Sequence, residues 1–228
     1  MSKLSKSSNK NEIKTICINK SIIIYPNQLF YDFWPKLIEK VLKNESLDNN
    51  EKNENDSGEL TCSFPTDAGE SKNEKQKYKY EIKKLNVLFV EHPIFFTGID
   101  NKLKFNSIKI AFTRASSLFF VEHIYKKIQS LLKKYKNVEI DTSVLSYEKL
   151  KTNTSAKSTI KSKLKSMKTD YLIYLDPVDV VLDELHKYLK SGGLSLSSKD
   201  CVCELDNPGF LLTRRDLEEY QKTRKTDF

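Results

Sequence analysis

The sequence predicts an α/β fold built on an open parallel sheet of five strands, with helices on both faces. Three observations lead there. Short β-branched or apolar runs alternate with longer segments of helical period along the whole chain. The connections between successive runs are too long for hairpins, so neighbouring strands are read as parallel. One run, Leu85 to Glu91, is apolar almost throughout, as a strand buried in the middle of such a sheet must be.

Residues 1–14 are polar and lysine-rich and read as a flexible tail, leaving 15–228 as one domain. Thr15 to Tyr25 is the first predicted strand: Ile16, Ile18 and Ile22-Ile23-Ile24 are β-branched, and Pro26 ends it. A helix follows to about Lys43, with Asp32 as N-cap and Pro35 in its first turn. Its inner face is Phe33, Leu37, Ile38, Val41 and Leu42. Residues 44–79 are dominated by Asn, Glu, Asp, Ser and Lys, and the large apolar residues among them are only Leu47, Leu60, Phe64 and Tyr78. Such a segment buries too little surface to offset its ordering entropy, so it is expected to be a disordered surface insertion.

The second strand is Leu85 to Glu91. Asn106 to Tyr135 lacks Gly and Pro, and Ile108, Phe112, Ala115, Phe119, Val121, Ile124, Ile128, Leu131 and Leu132 keep a helical period. This is read as one helix of ~45 Å. Val138-Glu139-Ile140 is a short strand, and Ser158 to Met167 a lysine-rich helix. Tyr171 to Leu175 is the fourth strand. Val178 to Lys190 is a helix stopped by Ser191-Gly192-Gly193, and Cys201 to Leu205 the fifth strand. Arg214 to Arg224 is a last helix with Thr213 as N-cap. The whole is Rossmann-like, and ligands of such sheets sit at the carboxyl ends of the strands, where strand order reverses. That rule selects Pro26-Asn27-Gln28, Glu91-His92-Pro93 and Asp176-Pro177.

The 228 residues suit one sizeable domain, and 38% hydrophobic content supports a core. The net charge of +8 suits approach to a polyanion, although the basic residues are spread along the chain and Lys, Asn and Ile are all frequent, as base composition would produce. No apolar run reaches the ~18 residues of a membrane span, and no signal peptide is evident, so an intracellular protein, cytoplasmic or nuclear, is expected. Cys17, Cys62, Cys201 and Cys203 match no zinc spacing and are read as buried or incidental thiols, so no metal site is expected. His92, His123 and His186 are far apart in sequence. There is no Walker-type phosphate loop, no G-x-G-x-x-G and no G-x-S-x-G elbow, so no catalytic residue is assigned. Glu91 closes an apolar strand and needs a donor, which is either a ligand or a loop N–H. Asp176 poses the same choice, with helix capping as its structural alternative.

Several of these segments together resemble a known family. They are Tyr25-Pro26-Asn27-Gln28-Leu29, Glu91 at a strand end, Lys109-Ile110 and Arg114-Ala115-Ser116 on the long helix, Asp176-Pro177, and Phe210-Leu211 through Thr223-Arg224-Lys225. In that order they resemble the N-terminal domain of photolyase-related proteins, the iron–sulfur bacterial photolyase/cryptochrome family. The likeness runs from about Ser21 to Phe228, interrupted by the insertion. It implies the antenna portion of a light-driven DNA repair protein, truncated or split, whose family activity is DNA photolyase, a carbon–carbon lyase. It implies an antenna chromophore such as a ribityl-lumazine; the strand-end rule then puts that chromophore against Asn27, Gln28, Glu91 and Asp176, with Phe30, Phe95 and Phe96 to stack on or cover a planar ring. FAD and the iron–sulfur cluster belong to a helical domain that would be a separate flavin-binding partner, through which DNA is met.

Two positions depart from the family pattern. The acidic residues expected after the first and second strands are Asn27 and Phe95 here. Each change removes an acceptor carboxylate, at ~1–3 kcal/mol for every chromophore donor left unpaired. The alternative from composition alone is a small α/β nucleotide- or nucleic-acid-binding protein, using helix 158–167 and Lys126, Lys127, Lys133, Lys134 and Lys136.

Overall fold

The computed structural model describes residues 14–43, 78–97, 105–177, 179–193 and 201–209, with isolated positions 216, 219, 220 and 222. In chain order the elements are β1 (Lys14–Ile24), α1 (Phe33–Lys43), β2 (Tyr78–Val90), α2 (Ile94–Thr97), α3 (Ser107–Lys134) and β3 (Glu139–Leu145). They continue with α4 (Tyr147–Leu150), α5 (Asn153–Ser166), β4 (Tyr171–Leu175), α6 (Val180–Tyr188), a π-helical turn (Leu189–Gly193) and β5 (Val202–Leu205). The five strands form one sheet in the order β3-β2-β1-β4-β5, and every pair is parallel. Strand order reverses between β1 and β4, so the predicted Rossmann-like α/β fold is present with its switch point there.

Two apolar layers hold the helices to the sheet. On one face Ile22, Ile24, Val87, Phe89 and Ile173 meet Trp34, Leu37, Ile38 and Val41 of α1 and Phe120, Ile124 and Ile128 of α3. On the other, Ile23, Leu88, Val90, Leu172 and Tyr174 meet Ile160 and Leu164 of α5 and Leu182 and Leu185 of α6. The alternation follows from the two-residue period of a strand. Each fully buried Ile or Leu contributes about 1.5–3 kcal/mol, which is why the β-branched run Ile22–Ile24 sits in the central strand.

Several expectations are corrected. β2 begins seven residues before Leu85, because its polar first half pairs with β1 from Lys14↔Tyr78 onward and turns Ile82 inward. It therefore overlaps the end of the segment read as a disordered insertion. β3 extends to Leu145 because it pairs with β2 from Lys84↔Glu139 to Val90↔Leu145. α5 starts five residues early, at a capping box in which the Thr152 side chain accepts from Ser155 N–H. The short helices α2 and α4 occupy stretches with no predicted element. α6 starts at Val180 rather than Val178. Lys14, read as the end of the tail, opens β1 by pairing with Tyr78; residues 1–13, residues 44–77 of the insertion, Phe210–Thr213 and nearly all of the helix expected over 214–224 lie outside the described residues. The long helix stands as predicted, with Asn106 as N-cap. Its helical period, however, divides between two faces: Phe120, Ile124 and Ile128 are buried, while Ile108, Phe112, Ala115 and Phe119 face outward.

Candidate functional site at the carboxyl ends of the strands

β1 delivers Tyr25 to Gln28 to the switch point, and β4 delivers Asp176 and Pro177 beside them. Gln28 is fully buried. Its Oε1 accepts from Tyr25 N–H at 3.3 Å and its Nε2 donates to Leu175 C=O at 3.4 Å, tying the end of β1 to the end of β4. Its backbone carbonyl accepts from Trp34 Nε1–H at 2.6 Å. Gln28 is thus a structural cross-link whose amide is spoken for. Asn27 is exposed, and its Nδ2 donates to Pro177 C=O at 3.5 Å.

Asp176 is half-buried. Its N–H donates to Leu205 C=O at 2.7 Å, and its carbonyl accepts from Asn207 Nδ2 at 3.0 Å. The N-cap of α6 is Asp179, not Asp176: Asp179 Oδ1 accepts from Val181 N–H at 2.9 Å. Pairing of Asp176 with β5 delays the start of the helix. The loop after β5 then returns to the ends of β4 and β1, through Asn207 on Asp176 and Gly209 beside Phe30. Gly209 packs so closely on Phe30 that a β-carbon there would lie 3.1 Å from the ring. Phe30 therefore packs against the protein's own backbone.

Glu91 and Phe95 stand at the end of β2. Glu91 is buried, and its Oε2 accepts from Tyr147 N–H at 3.0 Å, while Oε1 lies 3.8 Å from Arg114 Nε. Arg114 also pairs with Glu148. The loop N–H that the sequence offered for Glu91 is present on Oε2, with a guanidinium near Oε1, which is buried and accepts no hydrogen bond within the protein. Phe95 is half-buried with its ring centroid 6.4 Å from that of Tyr25, and is the link between the two groups of strand ends. Phe96 is buried and stacked on Tyr147 at 4.8 Å.

His92, next in the chain, is buried, with Nδ1 accepting from Ile94 N–H at 3.4 Å. Nε2 then holds the proton and has no protein partner. Burial first, and Lys157 second, push the His92 pKa down to about 4.

Under the crevice lies a buried aromatic network that sequence reasoning missed. Tyr25 Oη shares a hydrogen bond of 2.9 Å with His186 Nε2, and the Tyr174 ring lies 3.6 Å from the same imidazole. Tyr174 Oη donates to Glu204 Oε2 at 3.3 Å. Burial raises both phenol pKa values, so both hydroxyls stay protonated. Asn207 and Trp34 were likewise not singled out. The Asn-Pro-Gly turn at 207–209 and the single tryptophan were the available signals.

Cys17 is exposed on β1, Cys201 is buried beside β5, and Cys203 is disulfide-bonded, which departs from the reading of it as a thiol. Among the described residues no cluster of His, Cys, Asp and Glu has metal-binding geometry, and no helix is long and apolar enough to cross a membrane. Of the predicted site residues, Asn27, Gln28 and Asp176 are brought together, Phe95 adjoins them through Tyr25, and Glu91 is turned toward α3 and α4. In comparisons with family models, curated proteins and solved structures, the chain matches none.

Proposed function

We propose that this chain is the antenna portion of a photolyase-related DNA repair protein, with flavin and the iron–sulfur cluster in a helical domain outside this sequence. The observation that supports the reading is an adjacency. Three segments that resemble the family, Tyr25–Leu29, Glu91 and Asp176-Pro177, stand at the ends of three neighbouring parallel strands, β1, β2 and β4. They span the switch point at which open α/β sheets receive planar ligands. In this reading Asn27, Phe95 and Asp176 meet the chromophore. Asn27 Oδ1 and the Asp176 carboxylate accept hydrogen bonds, and Phe95 offers an aromatic face. Gln28 and Glu91 act as positioning residues that hold the strand ends.

The reading assigns no chemistry to this chain alone. Illumination of the purified chain with thymine-dimer-containing DNA is expected to leave the lesions intact. Stoichiometric flavin in the purified chain together with restored DNA would refute it.

A further inference from the structure

The largest unexplained feature lies on α3, away from the strand ends. Ile108, Phe112, Ala115, Leu118, Phe119 and Tyr125 are all exposed, Ile108 at 75%, Phe112 at 72% and Phe119 at 64%. At 100° per residue they occupy one broad stripe, opposite the buried Phe120, Ile124 and Ile128, and the stripe runs about 25 Å along the helix. Tyr31 extends it from the loop before α1, with its ring 6.3 Å from Phe119 and 5.1 Å from His123. From ~150–250 Å² per aromatic side chain, the five large residues on α3 expose roughly 600 Å². An apolar stripe of that size, broken only by the Glu122–Lys126 pair, is at the upper limit for a monomer and approaches the ~800 Å² each partner gives to a stable interface.

We infer that the occupant is a second copy of this chain, packed antiparallel along α3 about a two-fold axis at Ala115-Ser116. The spacing of the stripe is self-complementary under that operation. Phe112 and Phe119 lie three or four residues to either side of the axis, so each Phe112 meets the other copy's Phe119, twice. Ala115 at the axis lets the helices approach closely.

Charge agrees with this choice. A chain of net charge +8 meets its own copy against a general repulsion, so a contact between copies must add none of its own. The stripe satisfies that: Glu122, which interrupts it, is paired with Lys126 at 2.7 Å, and Arg114 on its flank is held by Glu91 and Glu148. The inference is independent of the proposed function, since its readout is molecular mass and not chromophore binding.

Sedimentation velocity of the full chain from about 1 to 100 µM tests it. The expected result is a concentration-dependent shift to twice the monomer mass. The double variant Phe112→Glu, Phe119→Glu should sediment as monomer throughout, with unchanged circular dichroism because both positions are exposed. The variant Ala115→Cys, treated with a short bismaleimide, should form a covalent dimer above the level given by the chain without the added cysteine; Lys133→Cys should not. A monomeric parent chain at 100 µM overturns the inference, whether or not α3 takes up a different protein. So does a dimer that persists in the double glutamate variant.

Discussion

The crevice between β1 and β4 and the outer face of α3 are opposites. At the crevice, polar side chains lie where the fold class places a ligand, yet much of their hydrogen-bonding capacity is used internally. Gln28 ties β1 to β4, Asn207 ties the β5 loop to Asp176, and Gly209 seals against Phe30. On α3, large apolar side chains stand in water with no internal use. Residue type therefore misleads in both places: polar residues at a strand end can be scaffold, and apolar residues of helical period can be surface. What separates the cases is whether a side chain's interactions are already satisfied within the chain.

The sharpest way to break this contrast is to truncate neighbouring phenylalanines. Phe120→Ala, in the core, should cost about 3–5 kcal/mol by leaving a cavity. Phe119→Ala should stay within about 0.5 kcal/mol at concentrations where the chain is monomeric. Urea unfolding of the two variants is the check, and equal losses would remove the distinction between the faces of α3.

A second prediction concerns pH. His92 is held neutral, with its pKa lowered from 6.5 to about 4 by burial and Lys157. The unfolded chain binds the additional proton between those values, so stability rises with pH there. The contribution is complete above about pH 6.5 and is lost as pH falls to about 4, on the order of 3 kcal/mol in total. His92→Gln, whose amide oxygen still accepts from Ile94 N–H, should flatten that part of the stability profile. An unchanged slope would place the acid sensitivity elsewhere.

At the crevice, Gln28→Ala should cost about 2 kcal/mol, since Tyr25 N–H and Leu175 C=O lose their partner in a buried place. Asn27→Ala, one residue away and exposed, should cost less than about 0.5 kcal/mol. Thermal unfolding of both variants would expose any error in the division between scaffold and ligand-facing residues. A smaller effect than that of Gln28→Ala, and of opposite sign, is expected at Lys168, which follows α5 with φ at 51°. Lys168→Gly should stabilise the chain by about 0.5–1 kcal/mol, because glycine meets no β-carbon penalty in that left-handed region. Any loss of stability there would mean that the lysine side chain contributes packing.

Much of the fold was legible because burial on two faces writes itself into composition. β4 was found to the residue, as all five of its positions are buried and apolar or aromatic. The first half of β2 was not legible: its lysines and glutamate lie on a strand whose reason for existing is the backbone ladder to β1, and that ladder is absent from local sequence. The start of α6 was misplaced because Asp176 is drawn into pairing with β5, about 30 residues on. The strand-end rule did bring Asn27, Gln28 and Asp176 together. It could not tell which of them was already engaged, since the partners Leu175, Leu205 and Asn207 are distant in sequence or have no motif. Arg114 was legible as part of a family-like helix segment, but its pairing with Glu91 across two elements was not.

The proposal that this is an antenna domain is tested most directly by titrating the full chain with 6,7-dimethyl-8-ribityllumazine, a deazaflavin and a reduced folate while following ligand fluorescence. The account predicts saturable one-to-one binding of one of the three, weakened at least tenfold in the double variant Asn27→Ala, Asp176→Ala, with the thermal transition little changed. Absence of saturable binding by all three, or binding unaffected by that double variant, would contradict it.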